Sequence, residues 1–134
     1  MSTGVSFGEL ITKTVIIDTN LADKEYYFVV QDQTDENVFN IASDQSLPPF
    51  ILLEGANGSS EAKRGVIALP GSRTKLKISE TVAPGKFLVP DASGLGEVAD
   101  AAGERYGAIA LTPGVANDII EVVCVLGEVE ASDA

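Results

Sequence analysis

Histidine is absent from this 134-residue chain, as is tryptophan, and there is only one cysteine. The missing imidazole removes the side chain that most often serves as general base near neutral pH and as transition-metal ligand. No Ser-His or Cys-His catalytic pair can therefore be built. Cys124 alone can make neither an intrachain disulfide nor a multi-cysteine zinc site. Flanked by Val122, Val123 and Val125, it reads as a small buried hydrophobe. Basic residues are scarce too: 9 Lys and Arg face 20 Asp and Glu, for a formal net charge of -11. That sign opposes approach to polyanions, which sets aside nucleic acid and bare anionic membranes as partners. No stretch approaches the roughly 18 consecutive apolar residues of a membrane-spanning helix, and residues 1–9 have no basic start followed by an apolar run. A chain in solution without an export signal is expected.

What is present is globular material. With 45% hydrophobic residues the chain carries enough apolar surface to build a core of its own, and its length suits one domain. Short alternating runs rich in β-branched and aromatic residues occur at 14–17, 26–30, 38–41, 50–53, 66–69, 74–78, 86–89, 106–111 and 119–126. Turn signals separate them, among them Asn57-Gly58, Pro70-Gly71, Pro84-Gly85 and Pro113-Gly114. The pattern predicts an all-β fold, a small β-sandwich or β-barrel of about nine short strands. The best helix candidate, 97–102, is stopped by Gly103 after less than two turns. Residues 1–10 read as an N-terminal arm, 11–127 as one β domain, and 128–134 as a mobile acidic tail.

An internal similarity divides the domain. Gly65-Val66-Ile67-Ala68-Leu69-Pro70-Gly71 recurs as Gly107-Ala108-Ile109-Ala110-Leu111-Thr112-Pro113-Gly114, displaced by 42 positions. Phe28-Val29-Val30 matches Leu88-Val89-Pro90, and Val38 matches Val98, displaced by 60. Two related β units, 20–79 and 80–127, are expected, with an extra excursion of 60 − 42 = 18 residues, residues 47–64, in the first.

Charge is unevenly placed. Residues 63–77 hold five cations and no acid, whereas the segments before and after each hold two cations and ten acids. Strand alternation puts Arg73, Lys75 and Lys77 on one face and Leu76 on the other. This face reads either as a solvated edge that discourages strand addition or as a contact for an acidic partner surface. Pro48, Pro49 and Phe50 offer a stiff apolar segment that would join Arg73, Lys75 and Lys77 in such an interface.

Other patterns carry no chemistry. Gly94-Leu95-Gly96-Glu97-Val98-Ala99 has the spelling of a dinucleotide fingerprint but lacks the helix that must follow. Ser72 with Lys75, and Ser60 with Lys63, have a nucleophile-lysine spacing that works only on a helical turn. Asp91 with Glu97, and Asp32 with Asp35 and Glu36, are hard oxygen donors near turns, too few for a calcium loop. No catalytic residue, cofactor or metal is expected.

The second half, from Val82-Ala83-Pro84-Gly85-Lys86-Phe87-Leu88-Val89-Pro90-Asp91 through 94–99, 106–111 and 119–123, resembles the small head-decoration or capsid cement proteins of tailed bacteriophages. The first half fits the same plan less closely, and residues 47–64 depart from it most. The resemblance implies a structural, non-enzymatic virion protein. It would sit on the outer capsid surface, bound to the major capsid protein, after assembly in the host cytoplasm. It also implies a homo-oligomer on the lattice, a trimer in preference to a dimer. A receptor- or glycan-binding head appendage or fibre module is the alternative.

Overall fold

The computed structural model describes residues 10–17, 21, 23–34, 38–43, 45–55 and 64–130. Among them there is no helix, and ten strands form two sheets. In chain order these are β1 (Thr12–Ile17), β2 (Phe28–Gln31), β3 (Val38–Ile41), β4 (Phe50–Glu54), β5 (Arg64–Ala68), β6 (Arg73–Lys77), β7 (Phe87–Pro90), β8 (Gly96–Val98), β9 (Arg105–Ala110) and β10 (Ile119–Glu128). The all-β expectation holds. The strand beyond the nine expected is β8, whose Glu97 and Val98 pair with Val89 and Leu88 where the sequence suggested a short helix. Three residues are too few to show a period of two.

The first sheet closes on itself in the order β1-β3-β2-β4-β5. Strands β1 and β3 run parallel, with Ile16 opposite Val38, and β5 returns antiparallel to β1 over Thr12–Ile16. The second sheet runs β6-β10-β9-β7-β8. A lone parallel bridge, Ile78 to Gly96, draws the end of β6 back beside β8, where the Ser79 N–H donates to the Gly96 carbonyl at 2.9 Å. Both sheets therefore share one cyclic plan, in which the first strand lies between the third, parallel to it, and the fifth. The displacement of 60 aligns β2 with β7 and β3 with β8, which hold equivalent places in that plan. The displacement of 42 aligns β5 with β9, which do not; the counterpart of β9 is β4. Strand β6, grouped by sequence with the first unit, pairs with β10 in the second sheet.

Two cores result. Val15, Ile17, Val29, Leu52 and Ile67 fill the barrel. Their strand neighbours Phe28, Ile51 and Ala68 point outward, into a second core with Leu76, Ile78, Leu88, Ala108, Ala110, Ile120, Val122 and Cys124 of the second sheet. Strands β2 and β4 are continuous apolar runs because both of their faces are covered.

Ser72 and Tyr26 are among the residues that fasten the sheets. Ser72, fully buried, accepts a hydrogen bond through Oγ from the Ile11 N–H at 2.8 Å and donates one to the Ile11 carbonyl at 2.9 Å. Tyr26, at a positive φ of 68°, donates its N–H to the Leu52 carbonyl, and its own carbonyl accepts the Lys77 N–H at 2.8 Å. At the C-terminus, residues expected to begin a tail are held: β10 runs through Glu128, and buried Val129 exchanges backbone hydrogen bonds with Gly103 and Glu104. Residues 1–9 of the expected arm and 131–134 of the expected tail lie outside the described residues.

Candidate interaction surface

Strand β6 alternates as the sequence requires, with Leu76 buried and Arg73, Lys75 and Lys77 on the opposite face. Pairing with β10 sets Lys77 opposite Ile119, Lys75 opposite Glu121 and Arg73 opposite Val123. The one salt bridge among the described residues joins Arg73 Nη2 to Glu121 Oε1 at 3.0 Å. Both side chains are nearly half exposed, so the pair contributes no more than about 1 kcal/mol. Lys77 Nζ stands 5.7 Å from the Tyr27 ring centroid, and Lys24 Nζ stands 4.9 Å from the same centroid. The ring's electron-rich face thus holds two ammonium groups near the β6 edge. Lys75 has no ion-pair partner among the described residues.

Beyond β10 the same outer face turns apolar. Ile109 of β9 lies opposite Val123 and beside Phe87 of β7, whose ring packs on Tyr106 at 4.4 Å. Exposed Leu111, Val115 and Ile119 extend the apolar stretch around the end of β9 and the start of β10. Cations therefore border an exposed apolar surface on a chain whose net charge is strongly negative. That combination suits a partner surface with apolar ground and acidic margins. Exposure of Phe87 and Ile119 had no signal in the sequence, because each begins a strand that otherwise reads as core.

The structure separates the remaining sequence candidates from this face. Pro49 is fully buried, and its ring and carbonyl pack on Gly107 of β9. Pro48 is exposed, but in a hollow with Arg105, Leu126, Gly127 and Glu128, at the far end of β10 from Lys77. At about 3.3 Å per residue the two ends of that strand are roughly 25–30 Å apart. Phe50, on β4, makes an edge-to-face contact with Phe39 at 5.9 Å. The three residues do not form an arm beside the cations.

Motifs set aside on sequence grounds are structural here. Asp91 Oδ1 accepts the Ser93 and Leu95 N–H groups at 2.8 and 2.9 Å, closing the β7–β8 turn. Asp32 Oδ1 accepts the Thr34 N–H, while Asp35 and Glu36 lie outside the described residues. Ser72 is buried and Lys75 exposed, so they do not meet; Ser60 and Lys63 are outside the described residues. Burial pushes the Cys124 thiol up to about 12 and holds it protonated. Burial, then the neighbouring charges of Asp91 and Glu80, raise the Glu97 carboxyl above its ordinary value against a hydrogen bond from Gln45.

No family model matches the chain, and no curated protein matches it. Among solved structures it is similar to the N base of head fiber gp8.5 of bacteriophage phi29, with a TM-score of 0.65. The match covers 91% of this chain and 99% of that one at 12% identity. At that identity the likeness is one of fold, and it extends over both sheets.

Proposed function

We propose that this chain is a non-enzymatic structural protein of a phage head, attached to the outer capsid surface by binding the major capsid protein. The observation that carries the reading is the fold shared with a head-fiber base over nearly the whole of both chains. A base that anchors an appendage is better supported than a free-standing cement subunit, because the similar structure is itself a fiber base. Attachment is assigned to the outer face of the second sheet, where Lys75 and Lys77 border Phe87, Ile109, Leu111 and Ile119. Apolar area of this kind supplies affinity, and the cations guide it to acidic ground. On the particle, copies are proposed to gather as trimers, with dimers as the competing arrangement, in keeping with the sequence resemblance to decoration proteins.

Cryo-electron microscopy of particles bearing this chain tests the reading. Density for the two-sheet fold on the outer shell is expected, with the second sheet turned toward the capsid protein. Location in the tail or the interior would reject the assignment. Joint Arg73→Glu, Lys75→Glu and Lys77→Glu substitution should lower occupancy by about tenfold or more, and wild-type occupancy should fall as salt is raised.

A further inference from the structure

The connection between β9 and β10 is an exposed turn fastened to two neighbouring segments. Gly114 exchanges both backbone hydrogen bonds with Val82, at 2.9 and 3.1 Å, and the Leu111 N–H donates to the Glu121 carbonyl at 2.8 Å. Asp118 Oδ2 accepts the Val115 N–H at 2.9 Å, and the Asp118 N–H donates back to the Val115 carbonyl at 3.0 Å. The Asn117 N–H donates to the Ile78 carbonyl at 2.7 Å and the Ile78 N–H to the Asp118 carbonyl at 2.9 Å, which ties the turn to the end of β6. Asn117 closes it at a positive φ of 73°, and a Cβ on Gly114 would meet Ile120 Cγ2 at 2.5 Å.

From this fixed backbone Leu111, Val115 and Ile119 project at 39%, 56% and 50% exposure. The adjoining core positions are filled by buried Ala110 and Ile120, so the fold gains little from aliphatic residues at the other three. Binding gains more, because a backbone already ordered before contact loses no further entropy in it. Cations stand on both flanks. Lys77 lies opposite Ile119 and, with Lys24, approaches the Tyr27 ring. Exposed Lys86 accepts the Ala110 N–H through its carbonyl at 3.0 Å, one residue from Leu111. The acid of the turn, Asp118, has one carboxylate oxygen turned back onto the Val115 N–H.

We infer that, given the capsid attachment proposed above on which this rests, residues 111–119 are its anchor. Leu111, Val115 and Ile119 enter an apolar socket on the capsid protein, and carboxylates on the rim of that socket meet Lys77 and Lys86. Affinity is thereby concentrated at one end of the second sheet, while Phe87 and Ile109 exclude water beside it.

The probe is the purified head of the phage that carries this chain, prepared without it and immobilised, so that association and dissociation of the full chain are read separately. Wild type should bind saturably. Joint Val115→Ser and Ile119→Ser substitution should raise Kd about tenfold or more, chiefly through faster dissociation. Joint Lys77→Gln and Lys86→Gln substitution should slow association about threefold or more at low salt and flatten its salt dependence. Leu10→Ser with Ile16→Ser, which removes exposed aliphatics of β1 and its entry, should bind as wild type does. Circular dichroism establishes that each variant is folded, and if the Val115 and Ile119 pair is not, Val115→Ser alone decides. Wild-type binding that this pair leaves unchanged would overturn the anchor and leave the attachment standing. No wild-type binding would overturn both. An equal loss in the Leu10 and Ile16 variant, or unchanged association and salt dependence in the lysine variant, would also overturn the inference. So would a Val115 and Ile119 variant that binds the head normally but loses self-association in sedimentation, which would give the turn to a second copy.

Discussion

Ser72 has the only fully buried polar side chain among the described residues, and both of its side-chain hydrogen bonds go to the backbone of Ile11. It fixes the entry to β1 against the turn that leads into the second sheet. Ser72→Ala removes both bonds at once; the Ile11 carbonyl keeps the Leu69 N–H at 2.8 Å, but the Ile11 N–H is left to find water, a loss of about 1–3 kcal/mol. Urea unfolding should show a lowered midpoint at unchanged slope; an unmoved midpoint would show that the clamp carries no stability. Glu97 acts in the opposite direction. Its folded-state carboxyl is raised by burial first and by Asp91 and Glu80 next, so the ionised form is disfavoured in the fold. A raised carboxyl favours the folded state at pH below its unfolded value and loses that advantage as pH climbs through the folded value. Glu97→Gln should therefore stabilise the chain at neutral pH, while the Gln45 side chain retains an acceptor at position 97. The gain should shrink as pH falls toward about 4, where the wild-type carboxyl is protonated. Paired urea titrations at the two pH values check it, and a variant less stable than wild type at neutral pH would contradict the sign.

Strand β9 shows how closely the elements approach. A Cβ at Gly107 would stand 2.7 Å from the Pro49 carbonyl oxygen and 2.9 Å from Phe28 Cε1. Gly107→Ala should thus cost about 1–3 kcal/mol through overpacking, read from the urea midpoint. A neutral result would mean that Pro49 can move aside. The same contact explains what the sequence left hidden. Alternation and turn residues made nine strands legible, together with the shared outward face of Arg73, Lys75 and Lys77, because both are local properties of the chain. Pro48-Pro49-Phe50 looked like a stiff surface arm because prolines are usually exposed. Only the tertiary arrangement, which lays Pro49 on a glycine of β9, puts it inside. The apolar border of the cationic face was illegible for a similar reason. Phe87 and Ile119 stand in apolar runs that read as core, and their exposure depends on which strands end beside them. The internal similarity of the sequence maps onto the strand order only in part. The displacement of 60 follows true topological equivalence, whereas that of 42 pairs two glycine-led apolar strands that share composition and not position.

At the scale of the molecule the two sheets are one cooperative body, because the wall of the first barrel is also a wall of the second core. Phe28 makes the case. It belongs to a barrel strand, yet its ring is fully buried among residues of the second sheet. Its N–H donates to the Gly94 carbonyl at 2.7 Å, and its own carbonyl accepts the Ala42 N–H at 3.0 Å. The second sheet cannot keep its core without the barrel wall, and the barrel would expose Phe28, Ile51 and Ala68 if the second sheet left, so equilibrium unfolding should be a single transition, with far-ultraviolet circular dichroism and tyrosine fluorescence coinciding. Tyr27 reports the junction and Tyr106 the second sheet, which lets fluorescence register any sheet that melts early. Phe28→Ala should remove about 3–5 kcal/mol. For a domain whose whole stability is about 5–15 kcal/mol, that is enough to move both signals together to much lower denaturant. Two resolved transitions in the wild type, or a Phe28→Ala variant in which only one signal moves, would mean that the sheets fold as separate units. In that case attachment through the second sheet would have no mechanical claim on the first.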